Sequence, residues 1–281
     1  MTSLVLFDAP GPKAKRLSLI LNVLALAAVA GGLTWIIYTL AAPRVYPGAE
    51  PGEVIIQPGY FDPSRWHIFF GEGAGELWSA IGQGVWATLS AAGVAAILAL
   101  LIGMVFALLS NAPSRWVRVP TTIVLEFFRG MPVLLMMFFL LIVIFPGAPF
   151  WAVVGGLALY NGAIIGEILR AGLKALPRGQ REAGLTIGLT SLSTRILIEF
   201  PQAFKQMTPI IVAQLVVLLK DTSLGYIVSY PELVRKTMNH LATYYGTDYR
   251  MSFFLVTLVI YLAINMLVST FARYLSKRMT K

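Results

Sequence analysis

Four polar residues in a row, Lys220-Asp221-Thr222-Ser223, interrupt a stretch otherwise dominated by Leu, Val and Ile. One cation, one carboxylate and two hydroxyls can meet the charged groups of a small polar solute. An ionisable group deep in an apolar segment is costly, so it is a functional candidate by default. Gln214 lies two turns before Asp221, and Asn161 adds amide capacity from another apolar segment. Glu126 with Arg129, and Glu167 with Arg170, are each three apart, the spacing at which helical side chains meet, so each pair can neutralise itself. Arg129, Asn161, Glu167, Gln214, Lys220, Asp221, Thr222 and Ser223 are therefore the candidates for a functional polar contact within the apolar segments. No Ser/His/Asp or metal-ligand set presents itself. The chain has 2 His, His67 and His240, far apart in sequence, and no Cys. Neither catalysis, nor a metal, nor a cofactor on this chain is expected.

A second polar block lies at 177–203, PRGQREAGLTIGLTSLSTRILIEFPQA. It is far longer than a hairpin between two membrane helices needs. Pro177 suits the first turn of a helix, and Arg178 to Ile187 has helix-forming composition. Ala183 shares a face with Ile187, and Leu185 with Leu189. Gly184 and Gly188 hold no partner away, and Gly188 can take the left-handed conformation that ends a helix. Ser191 or Ser193 can cap a second helix leading into Ile196–Phe200. The expectation is a helix, a tight turn and a helix, with small residues on the contact face and charge on the rim. The competing account is an amphipathic loop whose arginines pair with anionic headgroups.

The elements that carry these residues are membrane helices. The 281-residue chain is 57% hydrophobic and 12% charged, with a mean hydropathy of +0.76. A soluble domain carries about twice that charge. Unbroken apolar runs near 20 residues long cross a hydrocarbon core as helices and exclude a β-barrel. The spans are expected at 17–42, 77–110, 119–145, 150–170, 209–228 and 251–271, with a kink in the third at Arg129-Gly130-Met131-Pro132. At 17–42 a signal peptide is the competing reading, since Lys and Arg precede the run and Ala41-Ala42 follow it. The run is much longer than a signal-peptide core, so a retained helix is favoured. Residues 1–16 form a tail, 43–75 a Pro/Gly-rich external loop with a short interfacial helix near 66–70, and 229–249 an external segment of mixed charge.

Six spans with both termini in the cytoplasm place about sixteen of the 22 Lys and Arg on the cytoplasmic side, counting Arg129 and Arg170 near the cytoplasmic ends of their spans, about five outside (Arg44, Arg65, Arg235, Lys236, Arg250) and Lys220 deep within a span. The opposite orientation inverts that ratio, so the positive-inside bias puts 177–203 on the cytoplasmic face. The same bias explains the net charge of +9 without nucleic acid.

Five motifs, in order, carry a family resemblance: FRGMP (128–132), GEILRAG (166–172), PRGQREA (177–183), FPQA (200–203) and KDTSL (220–224). With Glu182-Ala183-Gly184 and Gly188 they resemble the EAA loop and flanks of the polar amino acid permeases of ABC importers, over residues 76–275. Actinobacterial glutamate-uptake permeases are the nearest branch. The resemblance implies an all-α polytopic fold in a bacterial cell membrane. It has a five-helix type I importer core at 76–275, an additional helix at 17–42 and a tail at 276–281. It implies that the loop docks into a separate ATPase, which binds the ATP and Mg. The coupling residues would be Arg178, Gly179, Gln180, Arg181, Glu182, Ala183, Gly184, Gly188, Leu189 and Pro201. A second permease, identical or homologous, an external solute-binding protein, a polar amino acid, glutamate first, and membrane lipid complete the implied partners. Gly184 stands where the family often has a second Ala, and Phe200 where Leu is usual. The chain contains no GxxxxGK[ST] phosphate loop, so ATP binding of that kind belongs to another chain. The alternative is an ion-coupled or passive amino acid carrier without an ATPase.

Overall fold

The computed structural model describes residues 11–47 and 54–280. Residues 1–10, 48–53 and 281, which include most of the expected N-terminal tail and the acidic positions Glu50 and Glu53, lie outside the described residues. Two compact units divide the chain, 1–71 and 72–281.

In the first unit, α1 spans Pro12–Ala41, with Pro12 in its first turn. It is 30 residues long and apolar throughout its centre, enough to cross a bilayer. An antiparallel hairpin follows, β1 (Arg44–Pro47) against β2 (Val54–Gln57), with Arg44 opposite Gln57. Nothing in the loop composition anticipates this hairpin. The helix expected near 66–70 is two 3₁₀ turns, Pro63–Arg65 and His67–Phe69. Asp62 caps the first by accepting from the Ser64 amide at 2.9 Å and the Ser64 hydroxyl at 2.7 Å. Those two bonds hold its carboxyl below the usual carboxylate range.

In the second unit, α2 is 37 residues long, Ala74–Ser110. Ala91, Ala95, Ala99, Gly103 and Ala107 repeat every four residues and are all buried, so small side chains make one seam of the helix. That seam receives α5 (Pro149–Ala175), whose own glycines face it. A Cβ on Gly103 would lie 2.6 Å from Ile165 Cγ2, and one on Gly162 would lie 2.7 Å from Ile102 Cγ2. Only glycine permits this approach, the usual way to gain dispersion contact where lipid is as apolar as the helix.

The third span is two helices. α3 (Arg115–Gly130) and α4 (Val133–Ile144) meet at 101° across Met131-Pro132. Pro132 lacks an amide hydrogen and forces extended backbone on Met131, whose ψ is 129°. The expected kink is therefore a full break. α4 packs on α5 through Gly156, where a Cβ would meet Met137 Cγ at 2.6 Å.

α6 (Arg178–Thr186) leads into α7 (Ser191–Tyr226), which carries helical structure through the expected loop end and into the fifth span. Residues 200–203 are thus helix, not loop. After Asp221 the helix tightens to a 3₁₀ stretch, Thr222–Tyr226. Residues 233–245 form α8, a short helical stretch that folds back onto α2 and α9 (Arg250–Thr280), so the segment after α7 is docked rather than loose. Within the described residues, five helices are long and apolar enough to cross a membrane, or six when α3 and α4 count as one span.

Candidate functional site

The polar block at 177–203 folds as a two-helix knob. Pro177 sits at the N-cap of α6 rather than inside it. Gly188 has φ of +88°, and its amide closes the helix on the Leu185 carbonyl at 3.0 Å. Thr190, and neither Ser191 nor Ser193, caps the next helix: its hydroxyl accepts from the Ser193 amide at 3.2 Å. The cap falls one residue earlier because the turn ends immediately after Leu189.

Gly184 is the pivot of the knob. A Cβ there would lie 2.5 Å from Thr194 Cγ2 and 3.0 Å from Ile198 Cδ1. The side chains of Gln202 and Gln180 meet at 3.1 Å, and Arg181 donates to Ser191 Oγ at 3.1 Å. Arg195 is nearly buried, pairs with Glu199 at 3.6 Å and donates to the Asn111 carbonyl, which ties the knob to the end of α2. Arg178, Gly179, Gln180, Arg181, Glu182 and Ala183 are exposed, as is Pro201 within α7, and Leu189 is half-buried. Ile187, 75% exposed, and Leu192, 58% exposed, place bare apolar surface beside this charge. The knob therefore presents an apolar patch with a charged rim, the composition of a docking surface.

The eight candidates inside the spans separate into three places. Asn161, fully buried on α5, receives a 2.8 Å hydrogen bond from Gln214 of α7, and its own amide donates to Leu157 O at 2.9 Å. Arg129 and Glu167 line one cleft of about 430 Å³ with Tyr160, beside the break between α3 and α4. Each is already paired, Arg129 with Glu126 at 3.1 Å and Glu167 with Arg170 at 3.0 Å, as their spacing implies. Lys220 and Ser223 line a larger cavity of about 600 Å³ between α7 and α9. Thr222 turns away from it, buried, and bonds Leu219 O at 2.6 Å. Asp221 is half-buried beside it. The polar wall opposite Lys220 comes from α9: Thr257, Tyr261, Asn265 and Ser269. None of these four was singled out by the sequence, because each is one neutral residue in an apolar helix.

Glu232 is the residue the sequence reading missed most clearly. It has no solvent exposure. Its carboxylate accepts from the amides of Val234 at 2.9 Å and Arg235 at 2.8 Å, capping the stretch that follows. Tyr261 Oη lies 3.5 Å from Oε2. Burial pushes the carboxyl up to about 7, against the pull of the two amide bonds. The Pro231-Glu232 dipeptide is the available signal, an acidic cap just before a helix. Among the described residues, no three His, Cys, Asp or Glu side chains come together as metal ligands would.

Residues 99–281 match the family described as binding-protein-dependent transport system inner membrane component. The chain is 36% identical over 209 residues to the glutamate transport system permease protein GluD of Corynebacterium glutamicum, covering 72% of this chain and 75% of that one. It is 31% identical over 222 residues to the probable glutamine ABC transporter permease protein GlnP of Bacillus subtilis, covering 75% and 99%. Its fold matches that in the crystal structure of an amino acid ABC transporter with histidines, at a TM-score of 0.62 and 23% identity, over 73% of this chain and 96% of that one. It also matches that of the MetNI methionine ABC transporter in an inward-facing form, at a TM-score of 0.63 and 18% identity, over 73% and 99%. The chain belongs to the binding-protein-dependent transport system inner membrane components, the multi-pass permease subunits of bacterial ABC importers.

Proposed function

We propose that this chain is the permease subunit of an ATP-driven importer for a polar amino acid, glutamate first. The observation that carries the reading is the knob of α6 and the start of α7. It is a rigid two-helix unit, closed on Gly184, with Ile187 and Leu192 exposed among charges. A separate ATPase would dock there, since the chain has no phosphate loop of its own. Arg195 links the knob to the α2 end, so a push on the knob would reach the helix that packs most closely on α5. The excess of Lys and Arg on that side supports a cytoplasmic knob and cytoplasmic termini.

Amino acid transport is supported by what the similar chains are named for, and glutamate by the GluD similarity. Lys220, Ser223 and the polar face of α9 would line the path, with Arg129 and Glu167 in the second cleft. Two permeases, identical or homologous, would enclose the path, and an external binding protein would deliver the solute. Alternating access then follows from ATP-driven closure of two ATPases beneath the knobs. This chain would bind no ATP or Mg and break no bond.

The test is uptake of labelled glutamate by proteoliposomes that hold the permease, its ATPase and its binding protein, with unlabelled glutamine, arginine and histidine as competitors. Uptake should require ATP, and unlabelled glutamate should compete best. Uptake undiminished without ATP overturns the importer reading. Stronger competition by arginine or histidine overturns glutamate alone.

A further inference from the structure

The buried carboxylate of Glu232 has no part in the coupling scheme above, yet it sits where three elements meet. Glu232 belongs to the docked segment after α7, Tyr261 to α9, and Thr222 to the 3₁₀ break in α7. Tyr261 Oη lies 3.5 Å from Glu232 Oε2 and 3.3 Å from Thr222 Oγ1. Thr222 spends its own proton on the Leu219 carbonyl at 2.6 Å. Tyr261 is also hydrogen-bonded to Thr88 of α2, so its single hydroxyl proton faces Glu232, Thr222 and Thr88, one on each neighbouring element. The same tyrosine lines the cavity that holds Lys220 and Ser223. The segment carrying Glu232 is itself fastened elsewhere: Leu233 N donates to Thr88 Oγ1 of α2 at 3.1 Å, and Thr257 of α9 donates to Thr237 at 2.7 Å.

We propose that Glu232 is a positioning residue for transport, holding the Tyr261 hydroxyl against the break in α7 so that the docked segment and the cavity wall move together. A cap alone needs only the two amide bonds. Of the three groups facing Tyr261, Glu232 is the one that can carry a negative charge, so in its ionised form it biases which way that hydroxyl points. Losing it frees the hydroxyl to turn to Thr222 and uncouples the segment from α9. The inference rests on the reading that the Lys220 cavity lies on the transport path.

The experiment uses the complete importer in proteoliposomes and measures amino acid moved per ATP hydrolysed, beside the thermal midpoint of each variant. Glu232→Gln and Tyr261→Phe should each lower that ratio roughly fivefold, the equivalent of one hydrogen bond. The double variant should be no worse than either single one. Tyr261→Phe leaves both amide caps intact, so a purely structural Glu232 predicts a normal ratio there. That result, or two effects that multiply, overturns the proposal. Should Glu232→Gln fail to reach the membrane, Tyr261→Phe and Thr222→Val decide it: equal and non-additive losses support the junction, and a silent pair overturns it. Lys220→Gln separates the two levels. If it is silent, the cavity reading has failed. If it impairs transport while Tyr261→Phe does not, only the positioning role has failed.

Discussion

Gln214 and Asn161 are 53 residues apart in sequence, yet the Gln214 side-chain amide donates to Asn161 Oδ1 at 2.8 Å. The bond crosses from α7 to α5, with Asn161 fully buried and Gln214 half-buried. Two facing amides satisfy each other, and each is left orphaned if its partner becomes apolar. Asn161→Leu and Gln214→Leu should each cost about 1–2 kcal/mol of unfolding free energy in mixed micelles. The double variant should cost less than the sum, because it leaves no orphan. Additive losses would show that the two amides do not depend on each other.

Gly184 and Gly188 tolerate nothing larger for different reasons. A Cβ on Gly184 strikes Thr194, which is buried and cannot yield. Gly188 has open space around it but a φ of +88°. A β-branched residue there costs roughly 1–2 kcal/mol in backbone strain. Gly184→Val, Gly188→Val and the charge reversal Glu182→Lys should leave the protein in the membrane. Each should weaken its hold on the ATPase at least tenfold, about 1.4 kcal/mol, in co-purification. Wild-type ATPase recovery and uptake in all three would remove the knob from the coupling route.

Lys220 is exposed and lines the α7–α9 cavity, whereas Asp221 next to it is half-buried and outside that lining, and Thr222 turns away. The two charges should therefore not be equivalent. Lys220→Ala should slow uptake by about tenfold or more, the loss of one charge-assisted hydrogen bond. Asp221→Ala should do less. Equal and unchanged rates and apparent affinities in a folded complex would exclude both from the path.

Glu232 provides a pH test. Its carboxyl is raised from 4.5 to about 7 by burial. The folded protein thus holds a proton that the unfolded chain has released between those two values. Glu232 therefore favours the fold least above pH 7, and the loss grows as pH rises from about 4.5 through 7. The full difference is on the order of 3 kcal/mol. Thermal unfolding in micelles should show wild type losing stability from pH 5 to pH 8. Glu232→Gln should show a flatter profile, since glutamine does not titrate. Parallel profiles would mean that another group sets the trend.

The membrane helices were legible in the sequence because crossing about 30 Å of hydrocarbon requires long apolar runs, and hydropathy averages exactly that property. The i, i+3 ion pairs were legible for the same local reason, since helix geometry alone brings Glu126 to Arg129 and Glu167 to Arg170. Gly188 as a left-handed stop also followed from local backbone preference. Where two local solutions compete, the sequence offered a choice, and the cap went to Thr190 rather than to Ser191 or Ser193.

Tertiary packing decided the rest. A helix at 200–221 that absorbs the end of the polar block depends on α6 folding back onto Thr194 and Ile198. Pro132 ends α3 locally, but α4 then packs on α5 through Gly156, and the two helices meet at 101°. Lys220, Tyr261 and Asn265 share one cavity only because α7 and α9 lie side by side. Glu232 was read only as part of an external segment of mixed charge, and it is fully buried. Hydropathy sums the types of a residue's neighbours along the chain, and that carboxylate is enclosed by neighbours across it.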